Sequence, residues 1–261
     1  MEPDRRAAEE AFAAGRFLDF VKAVGGAEDG ENHAFIGELI PAVDLESADL
    51  GQEPTAKALF ELAALVWEVD ERLALSMFRE AAVGGSTEAL AALGESLQWM
   101  GHDEEAVVWL RKAIDAKAGN SLRLAGLLGE VLMHTGGPAD REEAERLLTM
   151  GLQESTEFGV PLAQLLLERG SADDARELLE RAVATDVYGA ALLLGNLLGE
   201  LPGAFDAAEA AYRAGIASGD AHSAHNLAVM LRDNGELVRA AEFHELAKQM
   251  GDPTPLQAPS D

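Results

Sequence analysis

Apolar residues along this chain fall at helical spacing, and one arrangement of them keeps returning. A Leu followed at once by Ala or Gly occurs at Leu62-Ala63, Leu93-Gly94, Leu128-Gly129, Leu162-Ala163, Leu194-Gly195 and Leu227-Ala228. Each pair is answered further on by two small residues seven apart: Ala74/Ala81, Ala106/Ala113, Ala144/Gly151, Ala175/Ala182, Ala208/Gly215 and Ala240/Ala247. Self-similarity with a period of about 33 residues signals stacked repeats, because one such unit cannot bury its apolar face without neighbours.

Residues 87–119 show what the unit is. Leu90, Leu93, Gly94 and Leu97 stand at i, i+3, i+4 and i+7, one stripe of a first helix. Met100-Gly101-His102 reads as a turn, and Asp103 is placed to cap a second helix on which Ala106, Leu110 and Ala113 form the facing stripe. The unit is therefore a helical hairpin, in which small residues let the two backbones approach and leucines fill the space beside the contact. Two units depart from the pattern. The third has a longer link through Gly136-Gly137-Pro138, and Pro161 is expected to kink the first helix of the fourth.

Residues 1–54 do not keep the beat. Short helices are expected over Asp4–Ala14 and Phe17–Val24, then a Gly25–Gly30 loop and an apolar run from Ala34 to Val43, so this segment reads as an N-terminal helical cap or degenerate repeat. Residues 55–252 hold the six repeats. Gly251-Asp252-Pro253 stops the last helix, and residues 253–261 have the composition of a disordered tail.

The spacing of Leu90, Leu93, Gly94, Leu97, Ala106, Leu110 and Ala113 resembles the tetratricopeptide signature, and several junctions resemble its relative, the Sel1-like repeat. Met77-Phe78-Arg79-Glu80-Ala81-Ala82 leads through Gly85 and Ala89 to Leu93-Gly94, and Tyr212-Arg213-Ala214-Gly215 leads through Gly219-Asp220 and Ala224 to Leu227-Ala228. Trp109-Leu110-Arg111-Lys112-Ala113 is similar. The resemblance covers residues 55–252 and implies an all-α fold: a right-handed α-solenoid, or superhelix, of about six helix-turn-helix repeats. It also implies a non-catalytic protein-binding scaffold or adaptor that takes a protein or peptide segment on the concave face lined by the first helices.

Carried over residue by residue, the groove positions of such families fall on Phe60 and Trp67 in the first unit, and on Glu95, Gln98 and Trp99 in the second. The third unit offers Arg123, Glu130 and His134, and the fourth Gln164 and Glu168; Asn196, His225 and Arg232 complete the set. Trp67 and Trp99 occupy nearly the same place in successive units. They are candidates for aromatic anchors flanked by Glu95 and Glu130, or else for residues that fill space between hairpins. Lys57, Arg123 and Arg232 are too dispersed to clamp a terminal carboxylate.

Composition narrows the partner. The chain of 261 residues is 48% hydrophobic yet only 5% aromatic, as suits helices packed through small side chains, and its formal net charge of −27 is spread along both halves. Such a field repels phosphate backbones and anionic membrane surfaces, so direct nucleic-acid and membrane binding are not expected, and a basic segment is the favoured ligand. The competing reading of the acidity is that solvent-facing helix positions are Glu and Asp simply for solubility, or that the host cell is salty. An alternative use of the charge is an acidic inhibitor or nucleic-acid mimic that masks a basic surface on a partner protein. The absence of Cys excludes disulfides, Cys-ligated metals and thiol nucleophiles. With no apolar run of 18 residues, the expected setting is the cytoplasm.

No enzymatic constellation emerges, and no cofactor is expected. His222 and His225 stand three apart with His244 on the next helix, the best metal candidate, but no Cys or well-placed carboxylate completes a site, so packing explains them better. Acidic runs such as Asp103-Glu104-Glu105 and Asp173-Asp174 lie at helix starts, where they complement the helix dipole.

Overall fold

The computed structural model describes residues 56–256 except Val69, together with Arg6, Glu10 and Ala11. The cap expected over residues 1–54 lies outside the described residues apart from those three, as do residues 257–261 of the expected tail; Pro253–Leu256 are described and have no regular structure.

Among the described residues, twelve α-helices follow one another and no strand occurs. They are α1 (Ala56–Val66), α2 (Glu71–Val83), α3 (Thr87–Trp99), α4 (Asp103–Asp115), α5 (Ser121–Thr135) and α6 (Pro138–Gly151), then α7 (Gly159–Glu168), α8 (Ala172–Ala184), α9 (Ala190–Gly199), α10 (Phe205–Ala217), α11 (Ala221–Asp233) and α12 (Leu237–Gln249). The chain divides into two compact units, Met1–Val131 and Leu132–Asp261. In the first, α1 packs on α2, α2 on α3, and α3 on α4. In the second, each helix from α6 to α12 packs on the next, and α9 also touches α11. The fold is all-α and built of helical hairpins.

Every Leu-small pair and every answering pair of the repeat is buried. Gly94 shows why the positions must be small. A Cβ there would lie 2.8 Å from Leu110 Cδ2 and 3.1 Å from the Leu110 backbone nitrogen, so α3 and α4 touch with no room for a side chain. Gly195 repeats the device a hundred residues later, where a Cβ would sit 2.5 Å from the Tyr212 ring on α10. Leu93, Leu97 and Leu110 are fully buried around the first of these contacts. Between hairpins the same economy holds: a Cβ on Gly215 would collide with Ser223 at the start of α11.

Polar side chains begin several of the helices, α2 and three first helices among them. Asp70, Ser86, Asn120 and Asp220 each accept a backbone N–H from the first turn that follows. At the turn inside the α3–α4 hairpin, Gly101 takes φ +73° while the His102 N–H bonds the Leu97 carbonyl at 2.8 Å, closing the helix end. The second helix starts one residue earlier than Asp103 as a cap would require. The His102 carbonyl already accepts the Ala106 N–H at 2.9 Å, so His102 is the cap residue and Asp103 the first helical one. Pro161 likewise does not break its helix. It is the third residue of α7, after the short 3-10 turn Thr156–Phe158, where its missing N–H would have had no intrahelical partner.

Gly94→Leu and Gly195→Leu are each expected to cost about 1–3 kcal/mol of unfolding free energy through overpacking. Chemical denaturation of the two variants checks this. Unchanged midpoints and slopes would show that the hairpin contact is looser than described.

Candidate functional site

Burial of the Leu-small stripe against the second helices leaves other faces of α1, α3 and α5 to carry variable residues. In the first unit the structure brings several candidate groove residues together. Trp67 on α1's C-terminal side and Trp99 at the end of α3 meet edge to face, with ring centroids 6.0 Å apart at 65°. Trp67 also stands 6.3 Å from Phe78, and Phe78 stands 5.8 Å from Phe60, so four aromatic rings are linked in series from Phe60 to Trp99. Phe60 and Trp67 are half-buried, whereas Trp99 is 67% exposed.

Polar groups continue this face. Arg123 Nε on α5 lies 3.8 Å from Glu95 Oε1, and Gln98 Nε2 donates to Glu130 Oε2 at 3.5 Å. Partial burial pushes the Glu95 carboxyl upward, with the nearby Arg123 charge opposing the shift. Successive first helices of this unit are thus tied by one aromatic and two polar contacts.

In the second unit the candidate residues make separate contacts. His134 and Gln164 are exposed, and Glu168 lies 3.7 Å from Arg141. Arg232 pairs with its neighbour Asp233. Asn196 is the best-organised of them: its Oδ1 accepts from Tyr212 Oη at 2.9 Å and from Asn226 Nδ2 at 2.8 Å. Burial, with help from Glu200, pushes the Tyr212 hydroxyl up to about 12, so it stays a donor. These groups border a groove of about 730 Å³ with Phe205, Val229, Met230 and Asp233. His225 faces His244 of α12 at 6.1 Å between ring centroids, and the Nδ1 atoms of both are buried without a hydrogen-bond partner.

Reading the sequence missed the Asn196–Tyr212–Asn226 link and a buried carboxylate, Glu209, held between Arg213 and Arg239. The signal for the first was present, since an aromatic seventeen residues after Gly195 sits where Leu110 stands sixteen after Gly94. Among the described residues, no three His, Asp or Glu side chains gather as a metal-ligand set. His222 Nδ1 instead lies 2.9 Å from Asp252 Oδ2. Hydrogen bonds from Thr254 first, and from His222 after burial's opposing effect, hold the Asp252 carboxyl down at about 2. No helix among the described residues is long and apolar enough to cross a membrane.

Comparison with known proteins agrees with this architecture. The tetratricopeptide repeat family matches residues 221–250, which span α11 and α12. No curated protein matches the chain. Among solved structures it is similar to a Sel1 repeat protein from Oxalobacter formigenes, at 16% identity and a TM-score of 0.59, covering 97% of this chain and 99% of that one. It is similar to a tetratricopeptide repeat protein from Parabacteroides merdae at 14% identity and 0.55, covering 94% and 91%. Against the structure of the APC/C hetero-tetramer Cut9–Hcn1 the identity is 14% and the TM-score 0.61, over 95% of this chain but 52% of that one. The chain has the all-α helical-repeat fold that these tetratricopeptide and Sel1 repeat structures share, and its last hairpin matches the tetratricopeptide repeat.

The last hairpin carries a pH dependence of its own. Desolvation first, and the Lys248 and His225 charges next, lower the His244 pKa, with Glu245 and Asp252 opposing. The fold therefore favours neutral His244, and that stabilisation is present above the ordinary histidine pKa and lost as pH falls through the folded one. Asp252 follows the same sign lower down, losing its contribution between about 4 and 2. Hydrogen exchange of α11 and α12 is expected to speed up, relative to the intrinsic rate, as pH drops from about 7 to 5. His244→Gln should flatten that first window, and an equally steep response in the variant would exclude His244 as its source.

Proposed function

We propose that the chain is a non-catalytic scaffold or adaptor that takes a basic protein segment on the face formed by its first helices, and that it works in the cytoplasm, in keeping with a sequence of 261 residues without cysteine. The observation that carries the reading is Trp99. A tryptophan left 67% exposed, in contact with Trp67 at the end of the preceding first helix, is a large apolar anchor that the described residues leave largely uncovered. The carboxylates beside it set the sign of the partner. Glu68 is exposed next to Trp67, Glu95 lies one helical turn before Trp99, and Glu130 is bonded to Gln98. A net charge of −27 adds long-range attraction for a basic chain and repulsion of acidic ones.

The similarity to tetratricopeptide and Sel1 repeat structures supports a binding surface presented by stacked hairpins, while the variable residues on that surface choose the partner. Of the candidate positions, Phe60, Trp67, Glu95, Gln98, Trp99, Arg123 and Glu130 form the part for which the contacts argue best, since Trp67 meets Trp99, Glu95 meets Arg123 and Gln98 bonds Glu130, with Phe60 joined to Trp67 through Phe78.

Binding of a basic peptide to the full chain, followed by calorimetry at low and high salt, tests the proposal. Affinity should fall steeply with salt, and Glu68→Lys with Glu95→Lys should weaken it about tenfold or more at low salt in a protein that keeps its helical content. A folded double variant that binds as well as the parent would reject this face.

A further inference from the structure

The chain has three tryptophans, and two of them stand in opposite situations. Trp109 on α4 is buried, its indole N–H donates to Glu105 Oε1 at 3.2 Å, and Lys112 Nζ stands 3.9 Å above the ring centroid. Glu105 is in turn bonded by Arg79 at 2.6 Å. This is a complete cation–aromatic–carboxylate arrangement, furnished by the chain itself. Trp99 has the other parts without the cation. Its ring meets Trp67 in a T-shaped contact, Trp67 stands against Phe78, and at 67% exposure most of the outer indole remains accessible to a ligand. Glu95, four residues earlier on α3, lies on the same side of the helix and is half-buried. No cation–ring pair at Trp99 matches the one Lys112 makes with Trp109 among the described residues, and the Glu95 carboxylate, 3.8 Å from Arg123, has acceptor capacity for a further donor.

We infer that the open face of Trp99 is the seat of an arginine side chain from the partner, its guanidinium stacked on the indole and its fork bonded to Glu95. This rests on the reading of the first-helix face as the binding surface. Arginine fits better than lysine for two physical reasons. The planar guanidinium sheds less hydration when it stacks on an indole, and its fixed fork reaches a carboxylate beside the ring while the plane stays parallel to it. An ammonium is a compact, strongly hydrated point charge that gains less from the same surface.

The experiment uses the full chain and two blocked Gly/Ser peptides of equal length, one carrying four arginines and the other four lysines at the same positions. Fluorescence anisotropy with each, at low and moderate salt, is measured for the parent and for Trp99→Leu, whose fold is checked by circular dichroism. The arginine peptide should bind the parent about 3- to 30-fold more tightly than the lysine peptide, and Trp99→Leu should erase that difference. If both peptides bind equally and Trp99→Leu changes neither, the arginine seat is wrong while the acidic face stands. If neither peptide binds in a salt-dependent way, the first-helix face itself is wrong, and the seat falls with it.

Discussion

The close approach of the two helices in each hairpin is the constraint from which the rest of the structure follows. Gly94 against Leu110 and Gly195 against Tyr212 leave no room for a Cβ, and the answering Ala and Gly positions are buried throughout. With the backbones that near, leucines on either side fill the space at the density of a protein interior, and few aromatics are needed. Stability then accumulates hairpin by hairpin from neighbour contacts, as expected for stacked repeats.

That economy also decides where binding can be placed. The seam uses the Leu-small stripe of each first helix and the small residues of each second helix, so chemistry is left to the faces that turn away from it. The three tryptophans show the division. Trp109 is absorbed into the body of the first unit with its own cation and carboxylate, Trp67 bridges between hairpins, and Trp99 is left outward. In the second unit the polar residues are more occupied with one another, as in the Asn196–Tyr212–Asn226 link and the Glu209 carboxylate between two arginines. Such links hold successive hairpins in register, since each unmet buried group would be costly.

Much of the architecture was legible in the amino-acid order because the seam demands particular residue sizes at particular spacings. The Leu-small pairs and their answering pairs all fell inside, and the hairpin over residues 87–119 has its turn at Met100-Gly101-His102. The misses were of a different kind. Asp103 and Pro161 were misjudged because backbone hydrogen bonding, rather than side-chain type, set where α4 and α7 begin. The site was less legible, since one Trp type serves three environments and only packing distinguishes them. His225 is both a groove position and a packing candidate by register, and only the structure shows that its ring stands against His244 with its Nδ1 buried. Contacts between residues some thirty positions apart, such as Glu95 with Arg123, need the stacking of hairpins before they can be seen.

The seam between the two helices of each hairpin is taken to hold the fold together, while the faces of the first helices that turn away from it are proposed to meet the partner. Hydrogen–deuterium exchange of the full chain, alone and with a saturating basic peptide, tests this division most directly. Added protection should concentrate in α1 and α3, with α2 and α4 unchanged. Protection gathered on α2 and α4 instead, or spread evenly over all four helices, would contradict it.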